Sequence, residues 1–440
     1  MNSQVPVPTR RLAWLVSALA IVAVLMPFGL WWSLIFMNSI LAIVTFIDWR
    51  LCPKPSLFTV TRDLPTSISL GGVGTVVWQV RNNSGRAATV AISDDLAPSL
   101  NPRDRRALVP NVEPGAYEEA RTTLSPVRRG LFEPKTMTVR VEGPLGLIAR
   151  QGQHEVPGTL RVNPRYKSRD TAELSISRSR VLEAGVRSTR GNGGGAEFDS
   201  MRDYTVDDEI KRIDWAATAR TGHAIVRTYR VERNQQVMCL LDCGRTMAAR
   251  IENEPRIEHA MDAVMMLTHV ATRLGDRAGM VAFDTQVRAI VPPSHATSRL
   301  QAVTEAMYTL DPRLVESDYI QAFSATLSRY RRRSMLVLFT ELAEQAVIES
   351  LLPALPLIAR DHVVVVAAVT DPGLLSWARA IPIDAGGVYQ KAAAVAALEE
   401  RRRVIFRLQR LGATVIDAAP GRLAPLLADA YLKVKMNGKL

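Results

Sequence analysis

The chain has 440 residues, 47% of them hydrophobic, and a formal net charge of +12, enough for two or three domains that each bury their own core. Its three cysteines, Cys52, Cys239 and Cys243, have neither zinc spacing nor a pairing pattern, which excludes a disulfide-stapled secreted scaffold and points to a reducing compartment. Lysine and arginine are scattered rather than interleaved with stacking aromatics, so the positive charge argues against nucleic acid and for a face beside anionic lipid headgroups.

No Asp, Glu, Lys, Arg or His occurs from Leu12 to Ile47. A helix needs roughly 20 apolar residues to cross about 30 Å of hydrocarbon, so this run predicts two crossings, near 12–28 and 31–47. Pro27 and Gly29 break it in the middle, and Trp31 and Trp32 follow as residues suited to a membrane interface. A secretory signal is the rival reading, but its apolar region runs only about 7 to 15 residues before a cleavage site. Arg10 and Arg11 precede the hairpin while Arg50 and Lys54 follow it, which predicts a two-pass membrane protein. Both termini and everything after residue 50 would then face the cytoplasm.

After a membrane hairpin over 1–50, residues 56–163 alternate in short apolar strands at 75–80, 87–92, 117–124 and 136–141, separated by clusters such as Asn82-Asn83-Ser84-Gly85 and Pro114-Gly115. That punctuation predicts an antiparallel β-sandwich-like domain. Residues 164–197 are rich in Arg and Ser and end in Gly191-Asn192-Gly193-Gly194-Gly195, which reads as a mobile basic and Gly-rich linker within a span of 164–235. No Gly-Lys-Ser or Gly-Lys-Thr follows these glycines, so they are not a phosphate loop of that kind. From 236 to 440, strands at 237–241, 278–283, 335–339, 363–369 and 413–416 alternate with helices near 256–274, 297–309, 318–330, 344–359, 388–410 and 422–435. Strands apolar throughout, alternating with helices, predict a doubly wound α/β domain with a parallel sheet.

Ligands of such sheets bind beyond the carboxyl ends of the strands. There the sequence places Asp242-Cys243-Gly244-Arg245-Thr246, then Ser317-Asp318 and Thr340-Glu341. Asp242, Thr246, Ser317 and Glu341 make an oxygen-rich edge of the kind that suits Mg²⁺ or Mn²⁺ and could hold a partner's carboxylate as the last ligand. The plainer reading of Asp242 is a cap on the following turn. His259, Asp262 and His269 share a helix with Ala260, Val264 and Leu267 and read as boundary or solvent-facing positions, while Cys239 reads as an inert core thiol.

The stretch Phe198-Asp199-Ser200-Met201-Arg202-Asp203-Tyr204, then Asp207-Asp208-Glu209-Ile210-Lys211-Arg212-Ile213-Asp214-Trp215 and Ala219-Arg220-Thr221-Gly222, resembles the signature of the bacterial family known as domain of unknown function 58. The layout of membrane hairpin, β domain and α/β domain is similar too. The resemblance implies a von Willebrand factor A-like domain over 236–440 and a non-enzymatic membrane protein working with a MoxR-type AAA+ ATPase in envelope assembly or maturation. Related A-like domains hold a metal through Asp-x-Ser-x-Ser, a later hydroxyl and a later Asp. Here Gly244 replaces the middle Ser and Glu341 stands where Asp is usual, so the metal site reads as degenerate. Arg202, Tyr204, Asp208, Arg212, Asp214, Trp215 and Arg220 become either partner contacts or anchors of the linker to the α/β domain, with Arg212, Asp214 and Trp215 expected as an ion pair and an aromatic anchor.

Two other classes compete. Asp242-x-Gly244-x-Thr246 also matches the phosphate loop of actin-like and sugar-kinase ATPases, although no second Asp-Gly half follows, and no Gly-x-Ser-x-Gly elbow marks a hydrolase. A purely structural, metal-free envelope protein accounts for the altered motif equally well. No residue cluster points to a small-molecule substrate.

Overall fold

A computed structural model of the chain describes residues 5–25, 30–188, 197–205, 208, 210, 213–230 and 234–436, and divides it into two compact units, Met1–Asn163 and Pro164–Leu440. The turn predicted at Pro27 and Gly29 and the Gly191 to Gly195 run lie outside the described residues.

The first unit opens with β1 (Val5–Pro8), α1 (Arg10–Leu25) and α2 (Leu30–Leu51). The 16 described residues of α1 span only about 24 Å at 1.5 Å per residue, short of a bilayer core. Among the described residues one helix, α2, is long and apolar enough to cross a membrane. It runs four residues past the expected end at 47 and carries Asp48 with it. That carboxylate is fully buried and accepts from the backbone N–H groups of Leu145 (2.8 Å), Leu147 (2.9 Å) and Ile148 (3.0 Å). Gly143 leaves the space for it, because a Cβ there would collide with both carboxylate oxygens. Arg150 donates to the Trp49 carbonyl at 2.9 Å, and Cys52 is buried nearby.

The rest of this unit is β2 (Phe58–Asp63), β3 (Ser67–Ser69), β4 (Gly74–Asn82), β5 (Ala88–Asp94), β6 (Arg106–Val112), β7 (Tyr117–Leu124), β8 (Gly130–Phe132), β9 (Thr136–Glu142), β10 (Ile148–Glu155) and β11 (Leu160–Asn163). They form sheets of order β1-β10-β9-β5-β6, β2-β4-β7 and β3-β11-β8, antiparallel except for β3 with β11. Alternate residues of all three face one core, with Val76, Trp78 and Val80 of β4 against Val90, Ile92, Val139 and Val141. The burial alternates along β4 and β5, as a sheet with one wet face requires. Trp78 Nε1 donates to Asp94 at 2.6 Å, and Arg62 pairs with the same carboxylate, so the buried charge is matched.

In the second unit come α3 (Arg169–Ser188), β12 (Glu197–Asp203), α4 (Trp215–Thr221), β13 (Ile225–Arg230), β14 (Gln236–Asp242), the two-residue strands β15 (Arg250–Ile251) and β16 (Glu254–Pro255), α5 (Arg256–Arg273), β17 (Arg277–Phe283) and β18 (Val287–Ser294). They are followed by α6 (Arg299–Met307), α7 (Tyr319–Arg329), β19 (Met335–Phe339), α8 (Glu344–Ala346), α9 (Leu352–Ala354), α10 (Pro356–Ala359), β20 (Val363–Val369), α11 (Pro372–Arg379), α12 (Ala385–Arg410), β21 (Thr414–Ala418) and α13 (Leu423–Met436).

One sheet has the order β18-β17-β14-β19-β20-β21, parallel except for the antiparallel edge strand β18. Val237, Cys239 and Leu241 of β14 point into one core with α5 and α13, and Met238 and Leu240 into a second core with α7 and α12. Helices therefore cover both faces, and burial pushes the Cys239 thiol up to about 12.

The expected linker over 164–197 is instead largely the helix α3. Ala172 and Ile176 are buried against α5 and α13, and their small or single apolar side chains gave little hydrophobic signal among the Arg and Ser residues. Its entry is fixed by Asp262, which accepts from the Ser168 N–H at 2.9 Å and hydroxyl at 2.6 Å. His259 and Asp262 are accordingly buried rather than solvent-facing, and His269 Nδ1 lies 3.1 Å from the Tyr166 hydroxyl.

Candidate functional site

Every residue of β14 is buried, and the strand ends by delivering Asp242 to the carboxyl edge of the sheet with no exposure to solvent. Four donors meet this carboxylate. Ser317 Oγ and the Gly244 N–H (2.8 Å) donate to Oδ1, and Thr340 Oγ1 (2.6 Å) and the Tyr319 hydroxyl (3.0 Å) to Oδ2. Burial pushes the Asp242 carboxyl above its ordinary range, opposed by the bonds from Ser317, Thr340, Gly244 and Tyr319. Tyr319 and Thr340 are also 2.8 Å apart, closing a small hydroxyl cage. The glycine at 244 has a local reason: a Cβ there would run into Ser317 Oγ, so the side chain missing from the motif is the space Ser317 fills.

Ser317 is held on Asp242 by its own loop. Arg313 N donates to the Cys243 carbonyl (2.8 Å), Arg245 N to Val315 (2.9 Å) and Asp318 N to Asp284 (2.9 Å), and the Asp318 side chain caps α7 through Gln321 N. Asp284 is a residue that sequence reasoning passed over. It follows β17 directly, one position beyond the level at which Asp242 ends β14, it is fully buried, its Oδ1 accepts from Gln286 N at 3.1 Å, and Arg288 and Arg313 lie 3.6 and 3.7 Å from Oδ2. An Asp directly after an apolar strand was the available signal.

Glu341 does not join Asp242. It pairs with Arg401 and lies 3.1 Å from Arg256 Nε. Arg401 reaches on to Asp417 with two bonds of 2.7 Å, and Thr370 completes that carboxylate at 2.6 Å. Burial works against the Arg401 charge, but Asp417 and Glu341 outweigh it and hold the guanidinium more firmly protonated than usual. Thr246 is half-buried in the turn after β14, where its carbonyl accepts from Arg256 at 3.3 Å, and among the described residues no hydrogen bond links its hydroxyl to Asp242. Hydroxyl and amide donors meet both oxygens of Asp242 while arginines meet Glu341, so the two carboxylates expected in one metal site lie in separate networks.

The signature segment is braced by two carboxylates. Asp208 takes a bidentate bond from Arg202 (2.7 and 2.5 Å) and two bonds from Thr205 (2.9 and 2.7 Å). The Arg202 guanidinium foremost, with Thr205, holds the Asp208 carboxyl down to about 2. Asp214 caps α4 through the N–H groups of Ala216 (3.0 Å) and Ala217 (3.1 Å), which together with Arg227 hold its carboxyl below the usual range. Arg227, not Arg212, is the described ion-pair partner of Asp214, at 2.6 Å, and Arg212 lies outside the described residues. Tyr204 N bonds the Ala224 carbonyl, tying the ends of β12 and β13, and Arg220 donates to Ala216 within α4. Trp215 is 66% exposed, so it is not the buried aromatic anchor expected from the sequence.

Residues 200–376 match the model of a family described as "Protein of unknown function DUF58". Uncharacterized proteins of Mycobacterium tuberculosis and Mycobacterium bovis are 26% identical over 182 residues, 41% of this chain and 56% of theirs, so the match spans little more than half the length of these relatives. Among solved structures, the conserved hypothetical protein BatB from Bacteroides thetaiotaomicron aligns over 47% of this chain and 100% of its own, with 11% identity and a TM-score of 0.30. A CARDB domain from Pyrococcus furiosus, solved in complex with di-metal ions, covers 24% of this chain and 91% of its own at 11% identity, with a TM-score of 0.16.

Proposed function

We propose, on the match of residues 200–376 to the family of unknown function DUF58, that the chain is a membrane-anchored, non-enzymatic recognition protein. In this reading α1 and α2 form a two-pass anchor, the soluble units face the bacterial cytoplasm, and an A-like α/β domain captures a partner protein without a metal bridge. The partner to test first is the MoxR-type AAA+ ATPase implied by the family resemblance, in a role in envelope assembly.

The observation that carries the reading is the signature segment. Asp208 and Asp214 are engaged in bracing the segment itself, while Ile210 and Trp215 remain 67% and 66% exposed. Rigid support under an exposed tryptophan is the arrangement that interface anchors favour. At the sheet edge, Asp242 and Glu341 are likewise occupied by internal donors, which supports a scaffold role for the strand ends over phosphate or acyl chemistry.

The test is a photo-reactive amino acid at position 215 in the full chain, crosslinked in its native membrane. An adduct with the ATPase, together with at least a tenfold loss of capture in Trp215→Ala at unchanged folding, is the expected result. Capture unaltered by Trp215→Ala would overturn the assignment of this surface.

A further inference from the structure

In the second unit α11 and α12 make a projection that the sheet does not cover. No residue of α11 is buried. In the 26 residues of α12 the buried positions are Ala394, Arg401, Val404 and Leu408, so the helix meets the core only from Ala394 onward. The same helix also packs against α11. Where the two helices join, Ile381 and Ile383 flank Pro382 and are 88% and 100% exposed. Trp377, Val388 and Tyr389, close by in sequence, are 48%, 53% and 77% exposed.

The polar groups of this projection are few and ordered. Between Pro372 and Leu398 the charged residues are Arg379, Asp384 and Lys391. Asp384 caps α12, accepting from Gly387 N at 2.7 Å, and Lys391 Nζ donates to the Ala380 carbonyl at 3.0 Å. The tip therefore combines two exposed isoleucines, two exposed aromatics and two cations, with its single carboxylate engaged in the cap. Soluble proteins rarely leave such residues together in water, and aliphatic, aromatic and cationic side chains are the set that a bilayer interface accepts.

We propose that the tip formed by Trp377, Ile381, Ile383 and Tyr389 inserts into the headgroup and acyl boundary of an anionic membrane, giving the α/β domain its own lipid contact. Two cations against one occupied carboxylate favour an anionic lipid surface over a protein groove. The inference rests on the membrane-anchored reading of α2. A tethered domain needs only weak intrinsic affinity for the surface, because the anchor supplies a high local concentration.

The experiment uses the full chain reconstituted into phosphatidylcholine and phosphatidylglycerol vesicles, with an environment-sensitive fluorophore on a single introduced cysteine; the native thiols at 52, 239 and 243 are buried. Ile383→Cys reports the tip, Ile40→Cys reports α2, and Leu411→Cys, at the far end of α12, reports water. The expected result is a blue-shifted label at 383 that nitroxide lipids quench at least twofold, quenching at 40, and none at 411. Ile381→Asp should abolish quenching at 383 and leave that at 40 intact. A label at 383 that stays in water, or one shielded without lipid quenching as a protein contact would give, overturns the tip insertion. Loss of quenching at 40 alone overturns the anchor and leaves the tip standing.

Discussion

Replacing Asp242 by alanine removes the acceptor for four donors at once, and the structure allows the cost to be worked. Hydrogen bonds to a charged group contribute about 1.5–3 kcal/mol each, which would sum to roughly 6–12 kcal/mol if all were lost without recovery. They are not. Tyr319 and Thr340 already stand 2.8 Å apart and can bond each other, and Ser317 is only half-buried and can turn to water. The Gly244 N–H is left without its acceptor, and the burial cost of the carboxylate, visible in its raised pKa, disappears. The net loss should be about 2–4 kcal/mol, equivalent to roughly 30- to 1,000-fold faster global amide exchange in β14. Asp242→Asn keeps one carbonyl oxygen for Ser317 and Gly244 and offers an amide to the two hydroxyls, so it should stay within about 1 kcal/mol of the native chain. Hydrogen exchange of residues 236–242 in the full protein measures both. Exchange in the alanine variant within threefold of native would refute the cage as a structural element and return Asp242 to the list of residues free for a partner.

The remaining predictions concern two buried carboxylates, Asp208 and Asp48. Because the folded Asp208 carboxyl lies at about 2, below the ordinary carboxylate value near 4, its support is present above pH about 4 and fades as the pH falls towards 2. A carboxyl-carbon titration should show that midpoint moving up towards 4 in Arg202→Ala; an intact chain already titrating near 4 would contradict the bidentate pair. Asp48→Ala strands the N–H groups of Leu145, Leu147 and Ile148, a loss of about 3 kcal/mol or more, and should speed tryptic cleavage after the exposed Arg50 at least tenfold. Unchanged cleavage would mean that Asp48 does not tie α2 to the turn between β9 and β10.

The central strands were legible because their residues are apolar throughout: β19 and β20 begin and end where the unbroken runs of 335–339 and 363–369 do. The edge strand β18 was missed because it carries Arg288, Pro292 and Pro293 and is largely half-exposed, which is how an edge differs from a centre. Helix α3 hid for the opposite reason, since its buried face is built from Ala172, Ser175, Ile176 and Ser179 and contains a single large apolar residue. Helix α11 packs against α12 and buries nothing in the sheet, so no apolar stripe announced it.

The site was half legible for a related reason. An apolar strand ending in Asp is a local pattern, and Asp242 and Asp284 both show it. Whether such an aspartate holds a cation or a cage of hydroxyls is decided by groups that are local to neither. Tyr319 and Thr340 reach Asp242 from 77 and 98 residues away, and Arg401 reaches Glu341 from 60. Tyrosine and arginine are donors, and a donor aimed at a carboxylate occupies the place a metal would need. The sequence spacing therefore carried Asp242, Ser317, Thr340 and Glu341 but not the tyrosine and arginine donors. The exposed residues behaved in reverse: Ile381 and Ile383 look like ordinary core formers in a linear reading, and only a fold that leaves them uncovered turns them into a candidate contact surface, whereas Trp215 stood out through its motif.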